Sequence, residues 1–171
     1  MRSVQRHGPY RLLGWSLGGQ LAHAIAARLT EEGERVVLLA LLDTHLPTAG
    51  WDPSGEEENE VLRTLGFFSA AEPPSASLSV LGDTVVTGVR AAAASAVRFL
   101  RGGRPPVRGG GTEVMFFRAT GEEGGGADPA AWQPYCTGPV ASHDLGSGHH
   151  ELLDAGPLGR IAALLGPRLS P

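Results

Sequence analysis

Cysteine is almost missing from this chain: Cys136 stands alone, so no internal disulfide can form, and the composition fits a reducing, cytoplasmic setting. Long apolar runs are missing as well. The longest, Val36–Leu42, is far too short to cross a bilayer. The N-terminal residues Met1-Arg2-Ser3-Val4-Gln5-Arg6-His7-Gly8 contain no apolar stretch of the kind a secretion signal needs. No run of basic residues exceeds two, and the net charge is −4. These absences argue against nucleic acid and membrane as partners.

Turn-forming residues are abundant instead. The 171 residues include 25 Gly and 13 Pro, more than a fifth of the chain, so much of it must be turn and loop. The 42% of hydrophobic residues still suffices for one core, and one domain is the natural reading of this length. No internal repeat is evident.

The chain is organised around Gly14-Trp15-Ser16-Leu17-Gly18-Gly19. A short apolar stretch, 10–13, enters this turn and reads as the end of a buried strand. A helix-period pattern leaves it, with Leu17, Leu21, Ile25 and Leu29 as one apolar stripe and Ala22 and Ala26 beside it. In that context Gly-x-Ser-x-Gly becomes a nucleophile elbow, a tight strand-to-helix turn that presents the serine hydroxyl over the sheet edge. Small residues are expected two before and two after the serine, where a side chain would strike a neighbouring element. Gly33 is the expected C-terminal stop of the helix. Val36–Leu42, apolar at every position, then reads as a parallel strand buried on both faces. Strand, helix and strand make a βαβ unit.

From Pro47 the sheet pattern stops until about residue 108. Glu56-Glu57-Glu58-Asn59-Glu60 opens an expected helix over 56–68, with acids suited to its first turn. The stretch 81–100 has helical composition, and the glycines and prolines that follow read as a connector. This interval, about 47–108, is expected to be a helical lid inserted over the sheet edge. Residues 113–119 restore a buried strand, a Gly-rich loop follows at 121–126, and 140–145 is the last strand. Trp132 is read as a packing residue in a polar loop. Leu158, Ile161, Ala162 and Leu165 mark a closing amphipathic helix.

A serine hydroxyl becomes nucleophilic when an imidazole takes its proton, and an acid must hold that imidazole in the right tautomer. Ser16 is the candidate nucleophile. Leu17 matters through its backbone N–H, which starts a helix and can donate to an oxyanion. Asp43 is the first polar residue after Val36–Leu42, at the strand tip where open α/β sheets bind ligands, beside the strand that feeds Ser16. Asp128, in a loose loop, and Asp144, inside the last strand, are weaker acids. In this fold the base follows the acid in the chain, and His149 and His150 both follow Gly148 in the turn after the last strand. His143 is read as structural, and His7 and His23 have no supporting pattern. His45 is near enough to Asp43 in sequence to line the pocket. The spacing of His143, His149 and His150 resembles no common zinc motif, so no metal is expected. Cys136 has no nearby base in sequence and is read as a small packed side chain.

These segments together resemble the thioesterase domains that end nonribosomal peptide synthetases and related polyketide assembly lines. The resemblance rests on Gly8-Pro9-Tyr10-Arg11-Leu12-Leu13-Gly14-Trp15-Ser16-Leu17-Gly18-Gly19, on Leu41-Leu42-Asp43-Thr44, on Phe117-Arg118-Ala119, and on Gly148-His149-His150-Glu151-Leu152-Leu153. The interval from Ser16 to Asp43, 27 positions, is the spacing that family uses between nucleophile and acid. Its histidine is usually followed three and four positions later by Leu or Met, so Leu152 and Leu153 select His149 over His150. The resemblance implies an α/β-hydrolase fold and a Ser16-Asp43-His149 triad, with no cofactor of the chain's own. The implied substrate is an acyl or peptidyl chain on the phosphopantetheine of a carrier protein, released by hydrolysis or cyclisation. Two other readings share some of these residues: a free-standing serine ester hydrolase, and a docking module without catalysis. Family members begin well upstream of the serine motif. The expectation is therefore a domain, 1–171, incomplete at its N-terminal side, with in-frame sequence upstream of Met1 that carries the second oxyanion donor.

Overall fold

The computed structural model describes residues 5–46, 106–107, 111–121 and 126–169. The unit formed by His7–Leu46 and Pro105–Pro171 carries the sheet. The helices expected over 56–68 and 81–100 lie outside the described residues, as does all of the expected lid except residues 106 and 107.

Four strands, β1 (Tyr10–Trp15), β2 (Val36–Leu42), β3 (Glu113–Arg118) and β4 (Val140–Asp144), pair in parallel in the order β1-β2-β3-β4. The continuous apolar run of β2 lies between β1 and β3, and six of its seven residues are buried. Only two residues of β4 are even half-buried, and its Ala-Ser-His-Asp sequence suits a strand with one partner. β1 runs two residues further than its apolar stretch suggests, because Gly14 and Trp15 stay in register with Leu41 and Leu42 before the chain turns at Ser16.

Helix α1 (Leu17–Glu31) closes the first βαβ unit and ends as expected at Gly33. Gly33, at φ +80°, donates to Thr30 O, while Glu34 donates to Leu29 O, so two of the helix's last carbonyls are satisfied. The buried face of α1 differs from the expected leucine stripe. Ala22, His23, Ala24, Ala26, Ala27 and Leu29 are buried, whereas Leu21 and Ile25 are only partly covered. Small side chains let the helix lie close on β1 and β2, and the bulkier residues are displaced to its flanks.

On one side of the sheet, Leu38, Ala40, Leu42, Met115 and Phe117 pack with Leu145, Leu152, Ile161 and Leu165. The last two come from α2 (Ala155–Leu169), the closing helix. Its apolar stripe is narrower than expected: Leu158 and Ala162 are exposed, and Leu164 flanks the buried pair instead. α2 therefore leans on the sheet from Ile161 onward. Among the described residues, no helix is long and apolar enough to cross a membrane.

The glycines of the elbow divide into two kinds. A Cβ on Gly14 would strike the backbone of Gly18 and Gly19, and one on Gly19 would strike the side chain of Thr44, which is fully buried. A Cβ on Gly18 meets nothing, which corrects the expectation that position 18 must be small for want of space. Gly19, one residue later, carries the steric constraint because α1 begins against the turn after β2. Gly19→Ala is expected to cost about 1–3 kcal/mol of stability, and Gly18→Ala to be nearly neutral. Thermal melting of the two variants separates them.

Trp132 is completely buried and lies in a 3₁₀ turn, Pro129–Tyr135, rather than in a loop. Asp128 caps that turn by accepting from Ala130 N at 2.9 Å. The Trp132 indole donates to Thr44 O at 2.7 Å, pinning the chain just beyond β2.

Candidate active site

The site lies at the carboxyl ends of the strands, where each chain leaving the sheet is tied to its neighbour. Ser16 N donates to Leu42 O at 2.9 Å, Asp43 N to Phe117 O at 2.7 Å, and Leu145 N to Arg118 O at 3.0 Å. Ser16 has φ 53° and ψ −123°, a conformation disfavoured for any residue with a Cβ. It is held between the end of β1 and the start of α1. Leu17 is the first residue of that helix, so its N–H has no acceptor within the helix.

Asp43 also has positive φ, 40°, and its side chain is 2% exposed. Its carboxylate is fully engaged. Oδ1 accepts from Ala119 N at 3.1 Å and Ala127 N at 3.0 Å, and Oδ2 lies 2.6 Å from His149 Nδ1. A carboxylate accepts, so Nδ1 donates, and the remaining ring nitrogen, Nε2, is left as an acceptor. The His149 side chain is 29% exposed, which leaves the imidazole reachable. Among the described residues, no hydrogen bond joins Ser16 Oγ to His149, so the structure brings acid and imidazole into contact and Ser16 to the same edge. Catalytic hydrogen bonds in unliganded sites often tighten only with substrate present.

The two adjacent histidines separate cleanly. His150 starts a short 3₁₀ turn, His150–Leu153, and its ring meets Trp15 edge-on at 5.9 Å, whereas His149 reaches Asp43. Trp15 touches both: it stacks on the His149 ring at 5.1 Å, and its indole donates to His149 O at 3.2 Å. No sequence pattern marks this contact, which spans 134 positions. Ala127 as a donor to Asp43 is equally without a sequence signal. A backbone N–H carries no residue signature.

The other titratable residues fall elsewhere or serve packing. The His45 ring lies 6.4 Å from that of His149, beside the site, and its carbonyl accepts from Gln20 Nε2 at 2.8 Å. His23 is buried against Trp132 and Tyr135. His143 stacks on Phe117, and His7 lies 3.1 Å from Glu34. Asp144 makes two bonds with Arg118, at 2.8 and 2.6 Å, and these hold its carboxyl below the usual carboxylate range. Among the described residues, no three His, Cys, Asp or Glu side chains are grouped to hold a metal ion.

Burial pushes the Cys136 thiol up to about 11, so it stays neutral and unreactive in the folded chain. Ellman's reagent at about pH 8 is expected to leave the native chain unmodified and to label it once urea unfolds it. Rapid labelling of native protein would show that Cys136 is accessible.

Comparison with known proteins agrees with this architecture. The family model described as "Thioesterase domain" matches residues 1–167. The chain is 32% identical to a dimodular nonribosomal peptide synthase of Bacillus subtilis (strain 168), with 99% of this chain and 8% of that protein covered. It is 34% identical to enterobactin synthase component F of Escherichia coli (strain K12), over 94% of this chain and 12% of that protein. The chain thus spans only a small part of the curated relatives it matches. Among solved structures, RedJ, a thioesterase from the prodiginine biosynthetic pathway in Streptomyces coelicolor, superposes with a TM-score of 0.59. There the identity is 25%, and 98% of this chain and 66% of that one are covered. The parallel sheet, its flanking helices and the strained serine turn are those of an α/β-hydrolase, and the chain belongs to the thioesterase domain family.

Proposed function

We propose that this chain releases an acyl or peptidyl chain from the phosphopantetheine arm of a carrier protein, with Ser16, His149 and Asp43 as nucleophile, base and orienting acid. The observation that carries the reading is the 2.6 Å contact between Asp43 Oδ2 and His149 Nδ1 at the sheet edge that also presents Ser16. Ser16 Oγ attacks the thioester carbonyl carbon as His149 Nε2 takes its proton. The oxyanion accepts from the Leu17 N–H. Collapse of the tetrahedral intermediate breaks the C–S bond, and His149 returns the proton to the departing sulfur, leaving an acyl-Ser16 ester. Water, or a hydroxyl or amine of the bound chain, then attacks that ester, its proton passing to His149. Ser16 recovers the proton, and the product leaves as an acid or a ring. Asp43 holds His149 in the tautomer this requires and stabilises the imidazolium formed in each half-reaction.

The test is a pair of measurements on the chain. A fluorophosphonate probe is expected to label Ser16, and an N-acetylcysteamine thioester is expected to turn over with higher kcat/KM than a p-nitrophenyl ester of the same acyl group. Absence of labelling overturns the serine mechanism. A preference for the oxygen ester identifies a plain ester hydrolase.

A further inference from the structure

We propose that Trp15 is a positioning residue for the His149 imidazole, so that the strand delivering the nucleophile also holds the base. The inference rests on the reading of His149 as that base. An imidazole bound only through Nδ1 can still pivot about that bond, which would swing Nε2 away from the serine. Trp15 removes this freedom in two ways. Its indole N–H donates to the His149 carbonyl at 3.2 Å and fixes the backbone of the loop beyond β4. Its ring face stacks on the imidazole at 5.1 Å, with the planes 30° apart, and so fixes the ring plane. The Asp43 contact at 2.6 Å supplies the third constraint.

The origin of the clamp matters as much as its geometry. Trp15 is the last residue of β1 and is bonded directly to Ser16. A shift at the end of β1 therefore carries the nucleophile and the clamp together, which preserves the distance between Ser16 and His149. Asp43 follows the neighbouring strand and is linked to Ser16 through the hydrogen bond from Ser16 N to Leu42 O, whereas Trp15 is linked to it by a covalent bond. Trp15 also packs against the core beneath α2, so its ring is itself held in place.

Trp15→Phe keeps an aromatic face and removes the N–H; Trp15→Leu removes both. With the N-acetylcysteamine thioester, kcat is expected to fall about 10-fold in Trp15→Phe and about 10²-fold in Trp15→Leu. KM should stay within about twofold in both, since the lost interaction acts on the reacting geometry. In ¹H–¹³C spectra of the histidine rings, the upfield shift that a stacked indole gives the His149 ring protons is expected to persist in Trp15→Phe and to vanish in Trp15→Leu. Thermal melting is followed in parallel. A residue that only packs would lower the melting temperature of Trp15→Leu while the folded variant kept the wild-type kcat; that result overturns the proposal, because the ring-current shift disappears with the indole in either case. If Trp15→Leu does not fold, Trp15→Phe decides through kcat alone. If the wild-type chain neither labels nor turns over, the functional reading fails, and the proton between His149 Nδ1 and Asp43 Oδ2 decides instead: its exchange with water is expected to speed up in Trp15→Leu, and an unchanged exchange rate overturns the proposal.

Discussion

Asp43→Asn is expected to lower kcat/KM about 10⁴-fold while leaving the chain folded. An asparagine can put its carbonyl oxygen where Oδ1 now accepts from Ala119 N and Ala127 N, so both buried donors stay satisfied. Asn also tolerates the positive φ of this position. Its amide NH₂ then faces His149 Nδ1 in place of Oδ2. A donor opposite Nδ1 forces the ring proton onto Nε2, the nitrogen that must receive the serine proton. The chemistry fails through a change of tautomer, with the architecture intact. Asp43→Ala makes the contrast. It leaves the two buried N–H groups without an acceptor, at about 1–3 kcal/mol for each, so it is expected to lose activity and stability together. Thioester kinetics and thermal melting on both variants check the pair. Wild-type turnover by Asp43→Asn would remove Asp43 from the mechanism.

Ser16→Ala is expected to abolish fluorophosphonate labelling and to reduce turnover about 10⁴–10⁶-fold. Alanine has no hydroxyl to acylate, yet it keeps the Cβ and hence the backbone strain at φ 53° and ψ −123°. Ser16→Gly is equally inactive but relieves that strain, which for a non-glycine residue is on the order of 1–3 kcal/mol. Glycine also gains freedom in the unfolded chain, which offsets about 0.5–1 kcal/mol of the relief. The glycine variant is therefore expected to melt above the alanine variant, and both should lack labelling. A higher melting temperature for the alanine variant would show that the turn stores little strain.

The parts of this molecule that were legible in its sequence are those whose cause is local. β2 is read correctly from Val36–Leu42 because a strand covered on both faces leaves no polar position. The elbow is legible for the same reason: its glycines and its strand-helix change of period lie within a few residues of one another. α1 is found as a helix and ends at Gly33, but its buried side is not the leucine stripe, because the close approach to β1 and β2 selects alanine. Periodicity reports a helix without saying which flank the sheet will take. The choice between His149 and His150 could not be made from spacing alone, since both follow Gly148. Their backbone paths differ only where His150 enters the 3₁₀ turn and His149 faces Asp43. The clamp by Trp15 and the two N–H donors to Asp43 had no sequence signal. They depend on which loops meet at the sheet edge, a property of tertiary docking.

The ties around Asp43 also set when in time the site can exist. Its partners Ala119, Ala127 and His149 lie 76, 84 and 106 positions away along the chain. Contacts of such separation close late, because the entropy of bringing distant segments together must be met before they reward it. β1, α1 and β2 are contiguous and can assemble early, carrying the elbow with them. The elbow can therefore take shape while the acid still lacks its donors and the imidazole its anchor. During refolding, helical signal should return ahead of reactivity toward a fluorophosphonate. A nascent chain would present its serine before it acquires the means to use it.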